Sequence, residues 1–191
     1  NNNAISWPIT IGSAVASNVT VTLDSNFTLD AANEYFIIGG TDAALDGQLN
    51  TMTVQTDNFP GLVQNGNSTT NGKNCTVTDC VVTSTWINGY RTSTNNGWIG
   101  GGYFSRGATS TICGCSATNQ AGCSFDNCGG IVGTQCASNN GNLTIKKCFF
   151  TGYVNTWKCG GICGPYAGYG GTVAITDCYN APVNGNSSNN W

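Results

Sequence analysis

The stretch GGIVG at residues 129–133, with LTIKKC at residues 143–148, is one copy of a unit that recurs along the chain. In every copy a glycine-rich line is followed, after a polar gap, by a predicted short strand that ends in cysteine. The other copies are IGGGY (99–103) with TICGC (111–115), GGICG (160–164) with VAITDC (173–178), and a fainter PGLV (60–63) with CTVTDC (75–80). A period of roughly thirty residues is typical of stacked solenoids, whose units bury their apolar side only against their neighbours.

The composition indicates an ordered β protein. Hydrophobic residues make up 39% of the chain and charged residues only 8%, and no segment keeps the helical i, i+3, i+4 pattern for three turns. Residues 18–29 alternate between apolar and polar side chains, as a half-buried strand does. We also predict strands at residues 35–38 and 52–54, on either side of a turn at Asp46-Gly47.

Two longer segments carry a resemblance to a known family. Residues 36–54 (FIIGGTDAALDGQLNTMTV) and 60–66 (PGLVQNG) resemble the opening coils of right-handed parallel β-helix proteins, the pectin-lyase-like superfamily and its non-enzymatic relatives. The GGIxG lines resemble the repeats of secreted surface and adhesin-type proteins. The resemblance implies an all-β fold, a right-handed parallel β-helix (β-solenoid), in one domain over residues 18–191 with a loose tail from about residue 181.

Residues 1–17 stand apart as an N-terminal extended strand. Pro8 interrupts it and cannot donate to a ladder, which favours an edge position. In one interpretation the segment caps the chain's own sheets. In the other, which we predict, it is an arm that completes the sheet of a neighbouring copy, with its contact formed by Ile5, Trp7, Ile9 and Ile11.

The chain has eleven cysteines and no histidine, which indicates an oxidising compartment rather than a metal site. Several cysteines occupy equivalent positions in successive repeats. Neighbouring strands lie about 4.8 Å apart, inside the Cα separation of about 4.4–6.8 Å that a disulfide tolerates. We therefore predict disulfides that staple one coil to the next: Cys128–Cys159, Cys148–Cys178 and Cys80–Cys115.

Charge and motif content exclude several classes of function. A net charge of -3 with six basic residues argues against nucleic acid as a partner, and no apolar run is long enough to span a membrane. Asp79 and Asp177 are equivalent in the repeat but two or more coils apart, too far for the ~5–10 Å pair of a glycosidase. We predict no catalytic residues, no metal and no cofactor, and hence no enzyme.

Asparagines of N-x-S/T triplets are candidates for glycosylation, because they fall at turns or strand starts where the side chain should face water. Glycans there would also keep a chain with few charges soluble. The predicted sites, which require a eukaryotic secretory pathway, are Asn18, Asn26, Asn67, Asn74 and Asn142.

Two side-chain patterns suggest alternative binding functions. Aromatic residues near the repeat loops would hold sugar rings if they were stacked on one flank, or else they only cover the glycine-rich coils. Thr-x-Thr elements at 20–22, 51–53 and 76–78 suggest an ice-binding ladder, which Lys146 and Ala174 interrupt in later repeats. The aromatic residues are Trp86, Tyr90, Trp98, Tyr103 and Trp157.

The sequence as a whole predicts an extracellular structural protein, a subunit of a glycosylated fibre or surface coat. Because a solenoid carries unpaired ladder groups at both ends, head-to-tail contact between copies would satisfy them. A monomeric carbohydrate-binding or adhesion module is the alternative, and a polysaccharide lyase or hydrolase is a third.

Overall fold

A computed structural model of the chain describes residues 6–84, 92, 94–119, 127–152 and 158–182. Within these residues the protein is all-β, with fifteen strands and no helix. The strands are β1 (Ile9–Ile11), β2 (Thr20–Thr22), β3 (Phe27–Leu29), β4 (Phe36–Ile38), β5 (Ala43–Asp46), β6 (Thr51–Val54), β7 (Val63–Gln64), β8 (Cys75–Thr78), β9 (Val81–Ser84), β10 (Thr109–Cys113), β11 (Ser116–Asn119), β12 (Asn142–Lys146), β13 (Phe149–Gly152), β14 (Thr172–Thr176) and β15 (Tyr179–Pro182).

The strands form three parallel sheets. Sheet 1 has the order β1-β4-β7, sheet 2 has β14-β12-β10-β8-β5-β2, and sheet 3 has β15-β13-β11-β9-β6-β3. Consecutive strands belong to different sheets, so the chain visits the sheets in turn and then begins again one strand further along. We call each such visit a pass. Sheets 2 and 3 have six strands each and define passes one to six, from β2 and β3 to β14 and β15.

Sheet 1 continues beyond β7 through the glycine-rich lines. There the pairing is reduced to single parallel bridges, Val63 with Gly100, Gly100 with Val132, and Val132 with Cys163. A Cβ added at Gly129 would overlap the carbonyl oxygen of Val132 and the backbone of the next pass. The repeated glycines therefore allow successive passes to approach closely on this side.

Inward side chains stack in columns because the strands pair in register. One column runs through all six strands of sheet 2, and its four central members are fully buried. Burying each of these aliphatic side chains contributes about 1.5–3 kcal/mol. The column contains Val21, Leu45, Val77, Ile112, Ile145 and Ile175.

A short corner joins sheet 2 to sheet 3 in passes three to six. Its first residue has a left-handed backbone, with φ of 51° at Asp79, 67° at Gly114, 52° at Lys147 and 54° at Asp177. The second residue is a cysteine. The sequence predicted that each strand ends at this cysteine, but in the structure the strand ends before it. A strand of sheet 3 follows each cysteine, and the sequence repeats did not predict these strands.

The predicted strands at residues 35–38 and 52–54 are confirmed as β4 and β6. The prediction of one strand over residues 18–29 is wrong, because the chain turns a corner between β2 and β3. The alternation runs from Val21 in β2 to Leu23 in that corner, and both side chains are half-buried.

Residues 6–17 belong to the chain's own fold. β1 pairs with β4, Ile9 opposite Phe36, and Ile11 is only 1% exposed. The Trp7 ring stacks on Phe27 at 6.3 Å and meets Phe36 edge-on at 5.4 Å. This corrects the predicted extended arm, because Trp7, Ile9 and Ile11 contact their own chain. Ile5 lies outside the described residues.

Candidate functional site

The two ends of sheet 2 differ from its middle. Ile145 is fully buried, but Ile175, the next member of the same inward column, is 48% exposed. At the opposite end Val21 lines a cavity of about 380 Å³. The apolar column is therefore open to solvent at both ends.

The cavity lies against passes one and two. Its walls are largely apolar and include Trp7, Ile9 and Phe27, while Asp24 and Ser25 add polar groups. Trp7 and Ile9 are half-buried, so they line this opening even though they do not form an arm.

The sixth pass presents exposed apolar and aromatic side chains. Besides Ile175, Tyr166 is 60% exposed, Tyr169 71% and Tyr179 61%. The Tyr179 ring stacks on Phe149 of the fifth pass, with centroids 5.4 Å apart and planes 9° apart. One end is thus concave and the other carries protruding side chains.

Three of the predicted glycosylation sites lie in one column at the start of sheet 2. Register places Asn18 beside Asp42, then Asn74, Thr109 and Asn142 in successive passes. The three asparagines are exposed and belong to passes one, three and five. Alternate strands are roughly 9.5 Å apart, so the column spaces its asparagines at that interval.

The remaining two sites lie elsewhere on the surface, and both are exposed. The Asn26 Oδ1 accepts from the Thr51 N–H at 2.7 Å. The Asn67 Oδ1 accepts from the Thr69 and Thr70 N–H groups at 2.9 and 2.8 Å. In both cases the amide oxygen is held, and the amide nitrogen, which would carry a glycan, makes no hydrogen bond within the described part of the chain.

Four corner cysteines form a ladder of thiols along the stack. The Cys115 thiol interacts with those of Cys80 and Cys148, and the Cys148 thiol with that of Cys178. Their S–H groups also donate to carbonyls of the preceding pass, Cys115 to Val77 at 3.7 Å and Cys178 to Ile145 at 3.5 Å. Contact with Cys115, and then burial, raise the pKa of Cys148.

The predicted staples are not formed in this structure, which has no sulfur–sulfur bond among the ten cysteines that it describes. Cys80–Cys115 and Cys148–Cys178 are nevertheless neighbours in the ladder. The third predicted pair is also adjacent, since the Cys128 N–H donates to the Cys159 sulfur at 3.5 Å. The pairing predicted from the repeats therefore matches the spatial neighbours, while the bonds are absent.

Threonines stack on the outer face of sheet 3, and the Thr83 hydroxyl donates to that of Thr53 at 3.5 Å. The predicted Thr-x-Thr elements do not share one face, because residues 51–53 lie in sheet 3 while residues 20–22 and 76–78 lie in sheet 2. The uninterrupted column is Thr28, Thr53, Thr83, Thr118 and Thr151.

Five aromatic residues were predicted as candidates for stacking on sugar rings, and the structure describes two of them. These two do not form an exposed platform. Trp98 is fully buried and packs against Phe59 with centroids 6.1 Å apart, and Tyr103 is half-buried. Trp98 therefore belongs to the core. The other three, Trp86, Tyr90 and Trp157, lie outside the described residues.

In the part of the chain that the structure describes, the two aspartates singled out by the repeats lie far apart. Asp79 and Asp177 occupy the same corner in passes three and six, and three strand spacings separate them by roughly 14 Å. Among the described residues no three His, Cys, Asp or Glu side chains are placed to hold a metal ion. The same residues include no helix that is long and apolar enough to cross a membrane.

Comparison of the chain with protein-family models, curated proteins and solved structures gives no match in any of the three.

Proposed function

We propose that the chain is an extracellular structural subunit that assembles head to tail into a glycosylated fibre or surface coat. The observation that carries the proposal is the inward column of sheet 2, which starts at the Val21 cavity and ends at the exposed Ile175. A second copy placed above the sixth pass would continue this column. It would also continue the parallel ladder, because the strands of sheets 2 and 3 all pair in parallel.

The contact that follows is heterologous, since the concave end of one copy meets the protruding end of the next. Such contacts generate open filaments when the rotation between copies does not close a ring. Trp7 and Ile9 would line this contact as walls of the cavity. The N-terminal segment thus keeps a place in assembly with a different geometry from an arm.

The full architecture that we propose is a right-handed parallel β-helix. Three parallel sheets visited in turn support this, and parallel crossover connections are right-handed in about 98% of cases. The separation of Asp79 from Asp177 supports a role without catalysis. Exposure of all five sequon asparagines supports glycosylation and secretion.

Two charged substitutions at opposite ends test the assembly. Ile175→Asp blocks the protruding end, and Val21→Glu blocks the cavity end. Leu49→Asp is the matched control, because Leu49 is 67% exposed at the corner between β5 and β6 and does not line the cavity. In sedimentation velocity, wild type and the control should form large assemblies while each end variant stays monomeric with an unchanged circular dichroism spectrum.

Mixing the two end variants gives the sharper result. Each retains one intact end, so an equimolar mixture should form heterodimers and nothing larger. A wild type that stays monomeric at every concentration, or end variants that assemble like wild type, would overturn the proposal.

The carbohydrate-binding alternative has one specific observation in its favour, the Trp7 wall of the cavity beside Asp24 and Ser25. It predicts a monomeric wild type that binds oligosaccharides and loses binding with Trp7→Ala. Calorimetry with neutral and acidic oligosaccharides distinguishes this outcome from end-to-end assembly.

A further inference from the structure

Three pairs of cysteines lie where the fifth pass meets the sixth, at three different places around the stack. In each pair one cysteine belongs to the fifth pass and the other to the sixth. One pair lies at the corner between sheets 2 and 3, and the other two lie along the glycine-rich lines. The pairs are Cys148 with Cys178, Cys128 with Cys159, and Cys136 with Cys163.

Backbone hydrogen bonds place the first two pairs in adjacent positions. The Tyr179 N–H donates to the Cys148 carbonyl at 2.9 Å, and the two thiols are in contact. The Gly160 N–H donates to the Cys128 carbonyl at 3.1 Å, next to the bridge between Gly129 and Gly160.

The third pair is one that the repeat pattern does not show. Cys163 lies inside the line GGICG, whereas Cys136 lies three residues beyond the line GGIVG. The two thiols nevertheless interact, and the Cys136 carbonyl accepts from the Gly168 N–H of the sixth pass at 2.8 Å. Cys136 is fully buried.

The side chains of the sixth pass are less buried than those of the fifth pass. It packs against the fifth pass on one side, while Ile175 is 48% exposed on the other. Val173 is only half-buried, although Leu143 at the same position of the fifth pass is 2% exposed. A pass with so little burial opens at low free-energy cost.

We propose that these three pairs form disulfides that clamp the sixth pass to the fifth, with Cys136–Cys163 as the bond that the sequence alone does not indicate. Each bond forms when two thiols give up two protons and two electrons to a small-molecule disulfide. That disulfide leaves as two thiols by exchange through a mixed disulfide. The clamp concerns a single chain and does not depend on end-to-end assembly.

The ladder offers a competing arrangement, which makes the clamp testable. Cys148 contacts both Cys115 and Cys178. If it bonded to Cys115, both Cys80 and Cys178 would lose their ladder partners. The clamp requires Cys148–Cys178, which leaves Cys115 to Cys80.

The low reactivity of buried thiols determines how these disulfides should be formed for a test. Contact with Cys136, and then burial, raise the pKa of Cys163, and a buried neutral thiol exchanges slowly. The bonds should therefore be formed during refolding from denaturant, in a buffer of oxidised and reduced glutathione. Peptide mapping without reduction should then find all three clamp bonds. Cys136 bonded elsewhere or left as a thiol, or a Cys115–Cys148 bond, would overturn the proposal.

Hydrogen exchange gives a second measurement that does not depend on mapping. Oxidation should slow exchange of the β14 amides roughly 100-fold or more, as a crosslink that closes a loop of about thirty residues predicts. The β5 amides should change much less. The double variant Cys136→Ser/Cys163→Ser should lose part of the protection in β14, whereas the control Cys80→Ser/Cys115→Ser should keep it. Equal exchange of β14 in the oxidised and reduced chains would also overturn the proposal.

Discussion

Asn65 shows how the stack accommodates a polar residue that is only 1% exposed. Its amide nitrogen donates to the Lys73 carbonyl at 2.8 Å, to the Cys75 sulfur at 3.1 Å and to the Ser110 hydroxyl at 3.3 Å. Its amide oxygen accepts from the Lys73 N–H at 2.7 Å. Every polar atom of this side chain is therefore satisfied, which removes most of the cost of burying it.

Within this group, Cys75 makes the free energy of unfolding depend on pH in the alkaline range. Burial raises its pKa to about 11 from an ordinary value of 9.0, although hydrogen bonds with Ser110 and Asn65 act in the opposite direction. The unfolded chain loses this proton at a lower pH than the folded chain does. The contribution of Cys75 to the free energy of unfolding is therefore constant below about pH 9 and falls as pH rises toward about 11. The slope is at most about 1.4 kcal/mol per pH unit.

Chemical denaturation of the reduced chain at pH 8 and pH 10.5 measures this effect. Cys75→Ser is the control, because serine does not titrate in this range while it can keep the hydrogen bonds. Wild type should lose about 2 kcal/mol more than the variant between the two pH values. Equal losses in both proteins would show that Cys75 ionises as easily in the folded chain as in the unfolded one.

Gly129 tests the close approach of successive passes. Gly129→Ala should lower the free energy of unfolding by about 3 kcal/mol, because the added methyl group meets backbone atoms that cannot move aside. Gly170→Ala is the control, since a Cβ there meets only the Asn139 nitrogen at 3.9 Å and a left-handed φ of 69°. That strain alone costs roughly 1–2 kcal/mol. Similar losses for both variants in denaturant titrations would contradict the close packing of the glycine lines.

At the scale of elements, the strands that the sequence predicted are those with a clear apolar pattern. β4, β6, β8, β10, β12 and β14 fall in segments such as FII and LTIK, whose inward side chains are predominantly apolar. β11 and β15 have SATN and YNAP instead, and their short polar runs do not differ from loop sequence. They become strands because the in-register neighbours on the adjacent passes supply the pairing.

The proposed assembly site was only partly predictable. Apolarity at Trp7 and Ile9 indicated a contact, but sequence alone could not show that β1 would pair with β4 of the same chain. The repeats indicated which corner cysteines are neighbours. They could not indicate Cys136 beside Cys163, because that contact comes from the path of the loop after residue 133.

The role of β1 as an edge strand is tested by deletion of residues 1–11. The deletion removes the buried Ile11 and the Trp7 ring from Phe27 and Phe36, and each such side chain stabilises the fold by about 1.5–3 kcal/mol. We expect a loss of roughly 3–6 kcal/mol in denaturant titrations. Val15→Ser is the control and should change stability by less than about 0.5 kcal/mol, because Val15 is 97% exposed. Unchanged stability after the deletion would restore the arm.

For the whole molecule, the column of Asn18, Asn74 and Asn142 predicts a line of glycans along one edge. In a eukaryotic secretion system, enzymatic release of glycans in heavy-oxygen water should mark all three asparagines, together with Asn26 and Asn67. Thr20→Ala, Thr76→Ala and Thr144→Ala should each remove one mark. An intact mass equal to that of the bare polypeptide would contradict this prediction.

The central claim is that the sheets of one copy continue into the next. Electron cryo-microscopy of the oxidised full chain at assembling concentration tests it most directly. We expect filaments with an axial rise of roughly 29 Å per copy, which is six strand spacings. Ile175 of one copy should lie against the Val21 and Trp7 cavity of the next. Single particles at every concentration, or filaments whose contacts run through the faces of sheets 2 and 3 and leave Ile175 in solvent, would contradict it.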